Sequence, residues 1–473
     1  MMIFIMSFLV VLFLLLAVGI FHTTKKMPAG TAFQGKQHYA YGLRFLRDLT
    51  WIDTEGARHI DHEIFDAILS LVKGAKHFVL LDQFLFNDFH GLLKGVNRKL
   101  SMELTEVLIA QKKQHPSLHV IVLTDPINTV YGGLKNENLD LLERHGINVV
   151  FTRLNKLRDS NILYSPFWRI FIAPFGNGEG GTLSNPFGRG KVSFRSYFRL
   201  LNFKANHRKI IIADEGETYS GLITSANPHD GSSWHGNVAV KFSGEAVRDL
   251  LATEQAVLSF SGVKPRELPA VDKSKTGDGP TVQIVTEGAI KKTILAELDR
   301  AGQGDNVSLV MFYLSDRDII ESLVKVHYRG AGIRVLLDPN KDAFGRVKNG
   351  NPNRQVAAEL TAAGIPVRWG NTHGEQLHSK MLLISHQDTT GFLILGSANF
   401  TRRNLGNFNL ETDGALRGRM SDRIFVDAQQ YHDLLWNNIN TIQYSSSYRQ
   451  YEDHSGYRVV LYRLMEALGL CTF

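Results

Sequence analysis

Apolar positions along this chain fall into two regimes: one long unbroken run at the start, then short runs that recur in the same order in both halves. Met2 to Phe21 carries no charge, and Lys25 and Lys26 are the first that follow. About 20 apolar residues is what a helix needs to cross a bilayer. A cleaved signal peptide competes with that reading, but the run lacks a basic start and is longer than the usual signal core. Residues 1–22 are therefore expected to anchor the chain in a membrane by a single pass. Lys25, Lys26, Lys36, Arg44 and Arg47 all follow the span and nothing basic precedes it, which favours a cytoplasmic position for the catalytic body.

Beyond a polar connection, residues 23–60, the spacing of Ile64, Ile68, Leu71 and Val72 predicts a helix over 61–73, and Phe78 to Phe86 reads as a buried strand with Asp82 and Gln83 inside it. The second half repeats the order. Ile290, Ile294 and Leu298 mark a helix, Val307 to Tyr313 a strand, and Asp318 to His327 another helix. The apolar run ending at Asp125-Pro126 has its counterpart in the one ending at Asp338-Pro339, and Gly146-Ile147-Asn148-Val149 in Gly364-Ile365-Pro366-Val367. Four features in one order indicate an internal duplication. Strands alternating with helices predict an α/β fold with mostly parallel sheets, in lobes at 61–262 and 281–440.

Between the lobes, 263–280 has the Pro, Gly and charge content of a linker. Sixty-one residues separate Gly146 from His207, but fourteen separate Gly364 from His378. The first lobe therefore holds an insertion, 152–205. It carries nine basic residues, from Arg153 to Lys204, against Asp159 and Glu179, an excess equal to the +7 of the whole chain. Phe167, Trp168 and Phe171 lie beside Arg169. Rings and cations together suit a bilayer interface, and a glycine-rich surface loop packed on the body is the competing reading. In the tail, 441–473, the spacing of Val460, Leu461, Leu464, Ala467 and Leu468 predicts an amphipathic helix docked on the body and too short to span. The net charge points to an anionic partner, whether nucleic acid, lipid surface or phosphorylated substrate. With Cys471 the only cysteine, a disulfide framework and a thiolate metal site are both excluded.

The candidate chemistry lies in a pattern written twice. His207-Arg208-Lys209 runs into Ile210, Ile211 and Ile212 and ends at Asp214, while His378-Ser379-Lys380 runs into Met381, Leu382, Leu383 and Ile384. Each reads as a strand with His and Lys on one face. Thr224-Ser225-Ala226-Asn227 follows the first copy and Gly396-Ser397-Ala398-Asn399 the second. A single His on a strand is usually structural, but two, each with its Lys and its Ser-x-Asn turn, are not packing accidents. The lysines repel a cation, and no carboxylate or thiol cluster completes a coordination set, so neither metal nor cofactor is expected. Such a set suits a phosphodiester: lysines and asparagine amides bind the non-bridging oxygens, one imidazole attacks phosphorus and the other protonates the leaving oxygen.

In these motifs the sequence resembles the phospholipase D superfamily, marked by a duplicated His-x-Lys-x4-Asp motif with a following Gly-Ser-x-Asn element. His207, Lys209 and Asp214 match completely. In the second copy Ser385 stands where Asp belongs, with Asp388 three residues later. Gly396, Ser397 and Asn399 match, as does Asn409-Leu410-Glu411; the first copy has Thr224 for the glycine, and Ala239 after Asn237 where the second has Glu411. The resemblance covers about residues 60 to 440 and implies two α/β lobes with one active site at their interface. It implies His207 as nucleophile, His378 as general acid and then base, Lys209, Lys380, Asn227 and Asn399 on the phosphoryl oxygens, Ser225 and Ser397 assisting, Asp214 in support, and Glu411 orienting an imidazole. The expected activity is cleavage or transfer of phosphatidyl groups of glycerophospholipids at a membrane, with cardiolipin synthase-like transfer as one form. A phosphodiesterase acting on nucleic acid is the alternative from another substrate class. The basic charge, however, is concentrated in an aromatic insertion near the anchor. A non-catalytic lipid-binding protein is the third reading, opposed by two intact His-Lys pairs.

Overall fold

A computed structural model describes residues 1–93, 95–264, 277–439 and 441–471. Most of the expected linker, 265–276, lies outside the described residues. Each lobe is built on one large sheet. In the first, the order is Arg58–His62, Tyr41–Ile52, Asn237–Ser243, Thr218–Thr224, Lys209–Glu215, Phe78–Gln83, His119–Thr124 and Asn148–Phe151. In the second, the inner order repeats as Thr281–Thr286, Thr412–Arg419, Thr390–Gly396, Lys380–Ser385, Asn306–Met311, Gly332–Leu337 and Val367–Gly370. His38–Tyr39 and Ser445–Ser447 add the two edges of this sheet.

The sheets are mixed, but the expected parallel majority is wrong. Among the described residues only two strand pairings in each lobe are parallel, those among Phe78–Gln83, His119–Thr124 and Asn148–Phe151, and among their counterparts in the second lobe. Helical crossovers make those pairs. From each His-x-Lys strand onward successive strands pair antiparallel, through short turns at Glu215 to Thr218 and Ser385 to Thr390 and longer loops at Thr224 to Asn237 and Gly396 to Thr412.

Period-two alternation sorts the strands' side chains into layers. Ile211 and Ala213 face an outer layer with helices Glu63–Gly74 and Leu100–Gln114, and Leu382 and Ile384 face the corresponding layer on the second lobe. Ile210, Ile212, Met381 and Leu383 belong instead to a layer shared by both lobes, closed by helices Ala246–Phe260 and Arg423–Asn437. At Gly414 the sheets approach so closely that a Cβ would lie 3.3 Å from Val240 Cγ1.

Residues 23–60 are not a plain connection. Tyr41–Ile52 forms twelve residues of the first sheet, pairing Tyr41 with Ser243 and Asp48 with Asn237. Arg44, Arg47 and Asp48 interrupt its apolar pattern, which hides the strand from periodicity alone. The helix Met2–Thr24 stands out from the body with nearly every large apolar side chain exposed. Its carboxyl end meets the insertion, where Gly19 lies against Pro166, Asp159 N donates to His22 O (3.0 Å) and Arg158 Nε to Lys25 O (2.7 Å). The insertion folds into helices Tyr164–Phe171 and Phe194–Leu200 and a ribbon pairing Leu183–Ser184 with Lys191–Val192. Two of its cations are internally compensated: buried Asp159 pairs with Arg169 at 2.6 Å and also with Lys204. In the tail, helix Gly456–Leu468 docks through Tyr462 and Glu466, with Glu466 accepting from Ser315 Oγ (2.5 Å) and Arg402 N (2.9 Å). The apolar face expected to dock is instead turned outward: Val460, Leu461 and Leu464 are exposed, as is Tyr457.

Candidate active site

Each His-x-Lys strand begins where the two lobes are joined through backbone. His207 N donates to Leu410 O (2.9 Å) and Leu410 N to Ala205 O (3.1 Å); in the symmetric place His378 N donates to Gly236 O (2.8 Å) and Gly236 N to Gln376 O (3.0 Å). The duplicated Asp-Pro pairs hold the residue before each histidine. Asp125 accepts from Asn206 N (2.7 Å), and Asp338 from Leu377 N (2.8 Å). Both acids are buried in the loops that end the parallel strands. Arg208, between His207 and Lys209, is buried with one glutamate from each side of the interface: Glu254 at 2.9 Å and Glu287 at 2.8 Å. None of these five residues, Asp125, Asp338, Arg208, Glu254 and Glu287, was among the sequence candidates. The repeated Asp-Pro was the available signal for the first two.

The imidazoles are oriented across the interface. His207 Nδ1 lies 2.9 Å from Glu411 Oε1 in the second lobe, and His378 Nδ1 lies 3.1 Å from Asn237 Oδ1 in the first. Ser397 Oγ donates to Glu411 (2.5 Å) and Ser225 Oγ to Asn237 Oδ1 (3.0 Å), and Asn404 Nδ2 also donates to Glu411. The two serines thus stand behind the imidazole partners, supporting them. Sheet register makes Asn237, not Ala239, the counterpart of Glu411, because Ala239 pairs with Thr224 as Asp413 pairs with Gly396. One histidine therefore has a carboxylate partner and the other a neutral amide. Asn237 is a site residue that the sequence reading passed over.

Phe84 packs on His207 and Phe312 on His378, with ring centroids 4.8 and 4.9 Å apart. Each phenylalanine also lies 5.1 Å from the Nζ of the lysine of its own motif. Lys209 Nζ and Lys380 Nζ each donate at 2.6 Å to the carbonyl of their own histidine. Burial, with Lys209 and Lys380 nearby, holds His207 well below its usual value. Burial and then Lys380 do the same to His378. Burial also pulls Lys209 down to about 7 and, with Lys209 adding repulsion, Lys380 well below its usual value. Burial pushes Glu411 up, opposed by Lys209 and the Ser397 hydrogen bond. A phosphate between the lysines reverses their shifts, because an anion favours the ammonium form. Phosphate binding at pH 8 is thus expected to take up protons and to weaken by up to about tenfold per pH unit as pH rises above 7. Titration calorimetry in buffers of different ionisation enthalpy checks this; pH-independent binding without proton uptake would refute it.

His207, His378, Asn227 and Asn399 line one cavity of about 470 Å3. Asn227 Oδ1 accepts from Leu85 N (3.2 Å), whereas Asn399 Oδ1 has no partner among the described residues. Phe89, Phe187, Leu200, Phe203 and Phe344 form much of the wall, so the insertion supplies part of the cavity as well as a surface. Neither Asp nor Glu is among the lining residues. His229 and His235 also line it, and burial pulls both down to about 3, so they are neutral at pH 7.

Asp214 is remote from this cavity. It is buried at the far end of its strand, five residues or roughly 16 Å from Lys209, where it accepts from Lys76 N (2.9 Å), His77 N (3.0 Å) and Phe78 N (2.7 Å). At the corresponding end of the second lobe the acid lies on the other segment. Asp305, before Asn306–Met311, accepts from Gly302 N (2.9 Å) and Gln387 N (2.8 Å) and meets His386 Nδ1 at 3.1 Å. Ser385 therefore leaves this corner tied, while Asp388 serves only its own turn at Thr390. Asp214→Ala is expected to cost on the order of 3 kcal/mol, since it strips an anionic acceptor from three backbone donors. It should lower activity per folded molecule less than tenfold. Denaturant melts and assays normalised to folded protein separate the two effects.

Residues 294–435, which hold His378, Lys380, Asn399 and Glu411, match the family described as cardiolipin synthase, PLD-like domain. No curated protein matches the chain. Among solved structures, phosphatidylserine synthase of Haemophilus influenzae is similar with a TM-score of 0.55 at 12% identity, over 92% of this chain and 97% of that one. A phospholipase D family member, Nuc, of Salmonella typhimurium gives a TM-score of 0.28 at 19% identity over 36% of this chain and 97% of its own. Residues 294–435 thus match a PLD-like domain, and the chain as a whole shares its fold with the synthase.

Proposed function

We propose that this protein is a membrane-anchored enzyme that cleaves or transfers the phosphatidyl group of glycerophospholipids through a phosphohistidine. The observation that carries this reading is one aromatic-walled cavity bordered by both motif histidines and both motif asparagines, without a carboxylate among its lining residues. Such walls suit acyl and glycerol portions of a lipid, and the neutral imidazoles of His229 and His235 suit an uncharged polyol headgroup better than a cationic one.

In the proposed reaction, His207 Nε2 attacks phosphorus while Nδ1–H stays hydrogen-bonded to Glu411, whose carboxylate stabilises the positive charge developing on the ring. The bound anionic phosphodiester favours the imidazolium form of His378, and as the phosphorus–oxygen bond to the headgroup breaks, that oxygen takes a proton from His378 Nε2. His378, now neutral, takes a proton from water or an alcohol as its oxygen attacks phosphorus and the phosphorus–nitrogen bond breaks. Lys209, Lys380, Asn227 and Asn399 bind the non-bridging oxygens, stabilising the charge in both transition states. The apolar helix Met2–Thr24 supports an anchor beside this site, with the catalytic body proposed on the cytoplasmic side. Exposed Phe167 and Phe171 on the helix against its end, and the free face of Gly456–Leu468, provide further apolar surface for lipid.

The test is to incubate the full-length protein in detergent micelles with labelled phosphatidylglycerol, with phosphatidylcholine plus an added alcohol, and with single-stranded DNA. Release or exchange of the glycerol headgroup is the expected result. DNA cleavage without lipid turnover would replace this reading with the nuclease.

A further inference from the structure

One buried charge in the cavity wall is not used by this mechanism. Arg403 lines the cavity and is 5% exposed. Among the described residues its Nη2 reaches only the Gly469 carbonyl at 3.5 Å and the Cys471 sulfur at 3.8 Å, its guanidinium lies 5.2 Å from the Phe203 ring centroid, and its Nε has no partner. Among the described residues no carboxylate lies within 4.0 Å of it. Arg208, equally buried, has two glutamates, and Arg169 and Lys204 share Asp159. Burial pulls Arg403 down to about 10, which leaves it charged at pH 7.

A buried guanidinium without an anion is costly, whereas a phosphate accepts from it in a strong, forked, charge-assisted pair. The neighbourhood locates that anion on the His207 side. Asn404, the next residue, donates to Glu411, and Asn409, whose N donates to Arg403 O at 3.3 Å, lies beside Leu410, the carbonyl partner of His207 N. We propose that Arg403 forms a second phosphate subsite in the reaction cavity, which binds a phosphate that does not react while Lys209 and Lys380 hold the one that does. This rests on the phosphatidyl-transfer reading. Two sources share the chemistry: the phosphodiester of an acceptor phospholipid, and the second phosphate of a diphosphate-linked lipid donor.

The experiment uses full-length wild type, Arg403→Met and Arg403→Lys in detergent. Calorimetry with inorganic phosphate should show two sites in wild type and one in Arg403→Met. Without phosphate the melting temperature of Arg403→Met should equal or exceed that of wild type, because an unpaired buried charge has gone. With labelled phosphatidylglycerol as donor, KM for a short-chain phospholipid acceptor should rise at least tenfold in Arg403→Met, KM for glycerol less than threefold, and Arg403→Lys should recover part of the loss. A tenfold rise confined to KM for a cytidine-diphosphate lipid donor also supports the subsite and assigns it to the donor. One phosphate site in wild type, or equal loss on every substrate with a lower melting temperature in both variants, overturns it. If wild type turns over no phospholipid, the reading above fails, while the count of phosphate sites still decides the subsite.

Discussion

His207→Ala and His378→Ala are each expected to lower phospholipid turnover by about 10^4-fold or more, since each removes a group that forms or breaks a covalent bond or moves a proton in both steps. The two losses should differ in what accumulates. With His378 replaced, His207 still reaches phosphorus, and a substrate with a good leaving group, which needs no proton, should leave trapped phosphoprotein. With His207 replaced, no phosphoprotein should form with any substrate. The assignment follows from the partners, because a carboxylate at 2.9 Å favours the charged imidazole of a phosphohistidine, whereas an amide oxygen at 3.1 Å leaves His378 readier to release its proton. Acid-labile phosphate on His378 in the His207 variant would reverse the roles.

Exchanging the partners tests the same asymmetry by its pH dependence. Glu411→Gln keeps the shape but removes the anion, and its NH2 group faces one of three donors, His207 Nδ1–H, Ser397 Oγ–H or Asn404 Nδ2–H. We expect kcat to fall about 10^2- to 10^3-fold. His207 must be neutral to attack, and losing the anion lowers its pKa further, so the acid limb of the profile moves to lower pH while the plateau drops. Asn237→Asp does the opposite at the other ring. It places a carboxylate against His378 Nδ1–H, which raises the pKa of the acid by roughly 1 to 3 units. The group that must be protonated then stays so to higher pH, and the basic limb of kcat/KM moves upward. A basic limb unmoved in Asn237→Asp would exclude His378 as the general acid.

The parts legible in sequence were local or repeated. The two lobes, the helix at Glu63–Gly74, the buried strands and the His-x-Lys copies all appear as periodicity or as a pattern written twice, since hydrophobic spacing reports the face an element buries. Tyr41–Ile52 was missed because Arg44, Arg47 and the buried Asp48, which fall on both of its faces, break that spacing. The antiparallel majority was missed because apolar runs of similar length give no strand direction, which the connections and the long-range pairing decide. Asp214 and Ser385 show a similar limit. A motif comparison treats the second copy as defective, while the fold shows its corner tied by Asp305, which no linear alignment of the motifs would bring into the comparison.

By itself, the sequence determined that two His-Lys pairs exist, that each begins a buried strand, and that one apolar helix precedes them, because these depend on residue type and near-neighbour spacing. Only the tertiary structure decided that each imidazole is oriented from the opposite lobe, by Glu411 for His207 and by Asn237 for His378. It alone also left Arg403 buried in the cavity wall with no carboxylate beside it among the described residues. Those contacts join residues about 140 to 200 positions apart. A pattern of neighbours along the chain carries no information at that separation, whereas the packing of one sheet against another does.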